Sequence, residues 1–128
     1  MITTELKSHF LRLYQMAFSD DNFDQLELKM LYAFAKDRGI SSQELDEVLL
    51  NPSHETEIPQ EIETRVEYLY DLAVMILADG KIHDDEKVTL RKYCKNFEFI
   101  NVDELTDYLL ECAKKKMSKS QVINSIKA

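Results

Sequence analysis

Apolar residues in this chain recur at three- and four-residue spacing in seven separate stretches, and none alternates apolar with polar residues over a sustained length. A strand sends successive side chains to opposite faces, whereas a helix gathers residues i, i+3, i+4 and i+7 on one face. The pattern predicts an all-α fold, a single-domain bundle of about seven helices. Two Gly and two Pro in 128 residues are few for an all-β chain with many tight turns. At 45% apolar residues over this length, there is enough material for a buried core.

The first helix is predicted over residues 4–18, with Thr3 or Thr4 as N-cap and Leu6, Phe10, Leu13, Tyr14 and Ala17 on one stripe. A second starts near Asp24, where Asp24-x-x-Glu27 has capping-box form. It carries Leu28, Leu31, Tyr32 and Ala35 and ends at Gly39, where a left-handed backbone costs least. Ser41 or Ser42 caps a short third helix with Leu45, Val48 and Leu49. The polar stretch from Asn51 to Pro59 is the one long connection, and it divides the domain into halves of approximately 1–58 and 59–128. Pro59 suits the first turn of a fourth helix, about 59–78. Ile62, Val66, Leu69, Ala73, Ile76 and Leu77 face the core on that reading, and the helix is central. A fifth, about 84–97, carries Val88, Leu90, Cys94 and Phe97. Asp103 caps a sixth with Leu105, Tyr108, Leu109 and Cys112, ended by Lys114-Lys115-Lys116. Ser118-x-x-Gln121 caps a last one with Val122, Ile123 and Ile126.

Setting residue i on i+59 aligns the halves without a gap over 25 positions. Met16 falls on Met75, Asp20 on Asp79, Glu27 on Glu86, Leu31 on Leu90, Lys36 on Lys95 and Ile40 on Phe99. One inserted residue then puts Leu45 on Leu105 and Leu49 on Leu109. Apolar matches say little, because any two amphipathic helices slide into register. An Asp and a Glu seven apart across a turn, present in both halves, say more. The expectation is a pair of pseudo-repeated helix-turn-helix halves, neither able to bury its apolar stripe alone.

The better formed turn is Ala78-Asp79-Gly80-Lys81-Ile82-His83-Asp84-Asp85-Glu86. Asp79-Gly80-Lys81-Ile82-x-x-x-Glu86 has the spacing of the second half of an EF-hand loop. In such a loop Asp supplies an oxygen, Gly permits the sharp turn, the residue at the place of Lys81 offers its backbone carbonyl, and the Glu closes the site bidentately. The first half is missing, since Met75 and Leu77 hold the earlier ligand positions and neither binds a hard cation. One turn offers three or four oxygens, below the six to eight that Ca²⁺ prefers. The remainder would be water, or would come from the copy at Asp20, the Asn22 carbonyl, Asp24 and Glu27 if the two turns meet. The expected metal set is therefore Asp20, Asp24, Glu27, Asp79, Lys81 and Glu86, for a divalent cation, Ca²⁺ or Mg²⁺. A second reading stays open. Acidic residues at helix starts complement the dipole, and Glu27 and Glu86 stand where a capping-box glutamate belongs.

At these residues the chain resembles the TerB-like family, helical domains named for tellurite-resistance operons and found also at the head of a DnaJ-type membrane co-chaperone. The resemblance rests on Ala78-Asp79-Gly80-Lys81-Ile82-x-x-x-Glu86-Lys87-x-x-Leu90, and on Asp20 to Glu27 followed by Leu31-x-x-Phe34-Ala35-Lys36-x-x-Gly39-Ile40-Ser41. It covers roughly residues 8–128. It implies an all-α bundle of two related halves and a divalent-cation site at Asp20, Glu27, Asp79 and Glu86. It also implies an accessory or scaffold role in a stress-response system rather than catalysis. The first turn departs from the pattern, with Asp20-Asp21 where Asp-Gly is expected. The family name does not make tellurite this chain's ligand.

No GxSxG, HExxH, P-loop or GxGxxG is present, and the carboxylates have no nucleophile beside them. A noncatalytic module is expected, with a metal-dependent hydrolase as the minor alternative. The formal net charge is −8, so a phosphate backbone is repelled and nucleic acid is not an expected partner. Protein partners are expected, and contact with a membrane surface only through Lys114 to Lys119. His9, His54 and His83 share no ligand spacing. Cys94 and Cys112 lack CxxC spacing and read as buried reduced thiols. No basic region followed by an apolar core opens the chain, and a cytoplasmic location is the default expectation.

Overall fold

The computed structural model describes residues 3–18, 25–50, 58–77 and 84–127, with the side chains of residues 15–18, 25–28, 84, 85 and 127 left aside. Among these residues lie seven α-helices and no strand: α1 (Thr4–Phe18), α2 (Gln25–Asp37), α3 (Ser42–Leu50), α4 (Ile62–Ile76), α5 (Asp84–Asn96), α6 (Val102–Lys114) and α7 (Lys119–Lys127). The chain is all-α, as the spacing predicts. It forms two compact units, Met1–Ile58 and Pro59–Ala128.

In the first unit α1, α2 and α3 each touch the other two. Phe10, Leu13, Leu31 and Leu45 are fully enclosed and Ala35 nearly so. Enclosing a large aliphatic or aromatic side chain contributes roughly 1.5–3 kcal/mol, and all five of these positions belong to the predicted stripes. Local chemistry sets the helix ends. The Leu6 amide donates to Thr3 Oγ1 at 3.2 Å, which makes Thr3 the cap of α1. Ser41 and Glu44 form a reciprocal capping box: the Ser41 amide donates to Glu44 Oε1 at 3.2 Å and the Glu44 amide to Ser41 Oγ at 3.1 Å. Those bonds stabilise the charged carboxylate and hold the Glu44 pKa below its ordinary value. Gly39 ends α2 at φ 75°, with its amide on the Lys36 carbonyl and the Ile40 amide on the Ala35 carbonyl. The Tyr32 hydroxyl donates to Asp46 and ties α2 to α3; that bond, helped by burial, pushes the Tyr32 pKa up to about 12.

The second unit is built on α4, which touches α5, α6 and α7, while α5 also touches α6. Leu69, Leu72, Ala73, Met75 and Ile76 are all fully enclosed. Leu69, Leu72, Ala73 and Ile76 share one face, while Met75, Tyr68, Tyr70 and Asp71 lie off it and are buried too, so α4 is covered on most of its circumference. Leu90, Cys94, Leu109 and Val122 complete that core from the other three helices.

Three expectations for this unit are corrected. Pro59 lies outside the first turn of α4. Its carbonyl accepts from Arg65 Nε at 2.5 Å, Glu61 is extended at φ −85° and ψ 135°, and the helix starts at Ile62. Ile62 is consequently a first-turn residue with few neighbours and is 57% exposed rather than in the core. Asn101, not Asp103, precedes α6, and it makes no side-chain cap bond. Asp103 instead pairs with Arg91 of α5 at 2.7 Å. The Ser118–Gln121 box at α7 forms as predicted, with the Ser118 amide on Gln121 Oε1 at 3.0 Å and the Gln121 amide on Ser118 Oγ at 3.2 Å.

Candidate functional site

Of the six residues that the sequence offers as ligands, Glu86 is the one whose side chain is described. It occupies the third position of α5 and is only 3% exposed. That is the position of the capping-box residues Glu44 in α3 and Gln121 in α7, counted from Ser41 and Ser118. Glu44 is half-buried and Gln121 exposed, as befits side chains that fold back on a surface turn. Glu86 is enclosed in the same helical position and follows Asp84 and Asp85 in the sequence. A carboxylate taken out of water requires donors or a cation around it.

Glu27 holds the third position of α2, matching Glu86 in α5, but its side chain lies outside the described residues, as do Asp20, Asp24, Asp79 and Lys81. The expected meeting of the Asp20 and Asp79 turns lies outside them too. Among the described residues, no group of three or more His, Cys, Asp or Glu side chains is placed to hold a metal ion.

A second enclosed carboxylate escaped the sequence reading. Asp71 of α4 is fully buried, and Lys119 Nζ of α7 stands 2.9 Å from its Oδ1 and 3.8 Å from Glu67 Oε1. The signal was an Asp inside the most apolar run of the chain, which demands a partner in the fold. Lys119 is therefore committed to α4, and Lys115 lies 3.9 Å from Glu111, so the expected basic patch is partly neutralised. The Tyr70 hydroxyl donates to the Met117 carbonyl at 2.6 Å, fixing the turn that leads into α7.

The two cysteines are buried free thiols. Burial pushes the Cys94 thiol up to about 11, against a smaller opposing effect of the Thr106 hydroxyl, which stands 3.6 Å from its sulfur. A thiol held protonated in this way is a poor nucleophile.

The surface of the second unit carries an apolar groove of about 610 Å³. Phe99, Ile100, Leu105, Tyr108 and Ile126 line it, with Glu98 and Glu104 among them. No described helix is long and apolar enough to cross a membrane. Comparison with protein-family models, curated proteins and solved structures finds no match.

Proposed function

We propose that this chain is a noncatalytic, acidic helical module that binds a divalent cation at the turn into α5 and serves as an accessory or scaffold domain docking onto partner proteins. The burial of Glu86 at 3% exposure carries the reading. The two capping-box residues at the same helical position are less enclosed, Glu44 being half-buried and Gln121 exposed. Asp79, the Lys81 carbonyl and Glu86 would hold the ion, Ca²⁺ or Mg²⁺, with Asp20, Asp24 and Glu27 as the counterpart turn of a duplicated chain. The resemblance to TerB-like domains from Ala78 to Leu90 supports the same reading and adds a place in a stress-response system.

Thermal melting in Ca²⁺, Mg²⁺ or Mn²⁺ tests it. A cation at one hundred times its Kd stabilises the folded state by about 2.7 kcal/mol, and Glu86→Gln and Asp79→Asn each remove that gain. An unchanged midpoint for the wild type at millimolar concentrations of all three ions sinks the cation site. The second reading, a docking domain whose acidic turns are helix caps only, is favoured by the exposed groove on the second unit. It predicts that Glu86→Gln alters stability equally with and without cation.

A further inference from the structure

We infer that the groove over α6 and α7 docks a basic amphipathic helix of a partner protein. The inference rests on the docking half of the function proposed above and names the chemistry of the partner. Ile100, in the turn between α5 and α6, is 93% exposed, and Tyr108 is 39% exposed. An apolar residue standing alone at a surface is ordinary, but here Phe99, Ile100, Leu105, Tyr108 and Ile126 line one groove. Five apolar side chains gathered on one groove offer a partner more than a lone exposed residue does. The walls are tied together, since the Tyr108 and Ser125 hydroxyls lie 2.5 Å apart and join α6 to α7. Ile126 also lines an adjoining hollow of about 630 Å³ with Glu61, Ile62 and Glu63, which extends the apolar line toward the 57% exposed Ile62.

The charge around that line selects the occupant. Glu98 and Glu104 stand on one hollow, and Glu61 and Glu63 on the other, and no Lys or Arg lines either among the described residues. Glu98 lies 3.8 Å from Arg65 Nη1, yet its side chain is 72% exposed and still faces water. An apolar channel between helices receives a helix that presents residues at i, i+3, i+4 and i+7. Glutamates along its edges fit Lys or Arg on the flanks of that helix. An anionic membrane meets the same four carboxylates and is repelled. A second copy of the chain, joined by a two-fold contact, would set these glutamates against themselves on molecules that each carry −8.

The full-length chain, labelled with ¹⁵N, is titrated with a synthetic helix of about four turns carrying Leu on one face and Lys on its flanks. The controls are a scrambled peptide of equal charge, the same helix with Glu for Lys, and phosphatidylglycerol vesicles. We expect saturable shifts confined to residues 61–63, 98–108 and 122–126 with the Leu/Lys helix alone. Ile100→Asp weakens that binding at least about tenfold, and Glu104→Lys weakens it while admitting the Glu-flanked helix. Both substitutions fall on exposed side chains, and unchanged melting confirms that the variants fold. Equal binding of the scrambled peptide, shifts elsewhere, affinity unmoved by Ile100→Asp, preferential binding to vesicles, or a dimer abolished by Ile100→Asp each overturn the proposal. Ile100→Asp is expected to keep the cation-induced rise in melting temperature, and Glu86→Gln to keep peptide binding, so failure of the groove and failure of the cation site read out separately.

Discussion

Glu98 holds its backbone at φ 68° and Lys116 at φ 57°, where Gly39 stands at φ 75° after α2. Each closes its helix with the same pair of bonds. After α5 the Glu98 amide reaches the Lys95 carbonyl at 3.0 Å and the Phe99 amide the Cys94 carbonyl at 3.2 Å. After α6 the Lys116 amide reaches Ala113 and the Met117 amide Cys112, both at 3.1 Å. A side chain in the left-handed region costs about 1 kcal/mol relative to glycine. Glu98→Gly should therefore stabilise the protein by about 0.5–1 kcal/mol, since its contact with Arg65 is exposed and worth little. Gly39→Ala should destabilise by about 1 kcal/mol through backbone strain alone, because an added Cβ meets nothing within 4 Å. Urea unfolding of the two variants checks both signs. The closure of α2 was legible because glycine marks it. Glu98 and Lys116 carry no such mark, because neither residue type favours the left-handed conformation that the local helix-end bonds require of them. The closures at Gly39 and Glu98 stand 59 residues apart, in register with the sequence alignment, but α6 closes in the same way, so this geometry is not peculiar to the aligned pair.

At the scale of elements, capping chemistry and the apolar stripes made most helices readable. Thr3, Ser41 and Ser118 stand where sequence rules put caps, and all three accept from amides of the first turn. The start of α4 was misread because proline also suits the extended approach to a helix: the Pro59 carbonyl accepts from Arg65 Nε, Glu61 is extended and the helix begins at Ile62. Tyr108 recurs at helical spacing with Leu105, Leu109 and Cys112 yet is exposed, because periodicity shows which side chains share a face but not where the neighbouring helix ends. The attachment of α7 to α4 was not legible at all, for an ion pair between residues 71 and 119 is a long-range contact with no local pattern. It yields a test. Lys119→Met leaves Asp71 enclosed without its closest cation and should destabilise the protein by about 1–2 kcal/mol. That figure is below the 3–5 kcal/mol of a fully buried broken pair, because the lysine is one-third exposed. Chemical denaturation measures the loss, and hydrogen exchange should locate it first in the amides of 119–127. Faster exchange elsewhere, with α7 unaffected, would remove this role from the pair.

At the scale of the whole molecule, the net charge of −8 makes the folded chain repel itself, and salt screens that repulsion. Raising NaCl from about 0.05 to about 0.5 M should stabilise it by roughly 0.5 kcal/mol, about 2 °C in melting temperature. A larger gain from millimolar Ca²⁺ or Mg²⁺ at matched ionic strength separates a bound ion from screening. The all-α class was legible because helical spacing recurs from residue 4 to residue 126. The candidate site was legible only as a motif: spacing nominates Glu86 but does not reveal that it is enclosed, and the apolar groove draws its lining from the turn before α6, from α6 and from α7. One buried hydroxyl has an optical consequence. With six Tyr and no Trp, tyrosine dominates the intrinsic ultraviolet emission of the chain. Tyr70 spans from α4 to the Met117 carbonyl, so its excited state senses whether the last helix is seated, and the molecule carries a native, label-free fluorophore for its C-terminal docking.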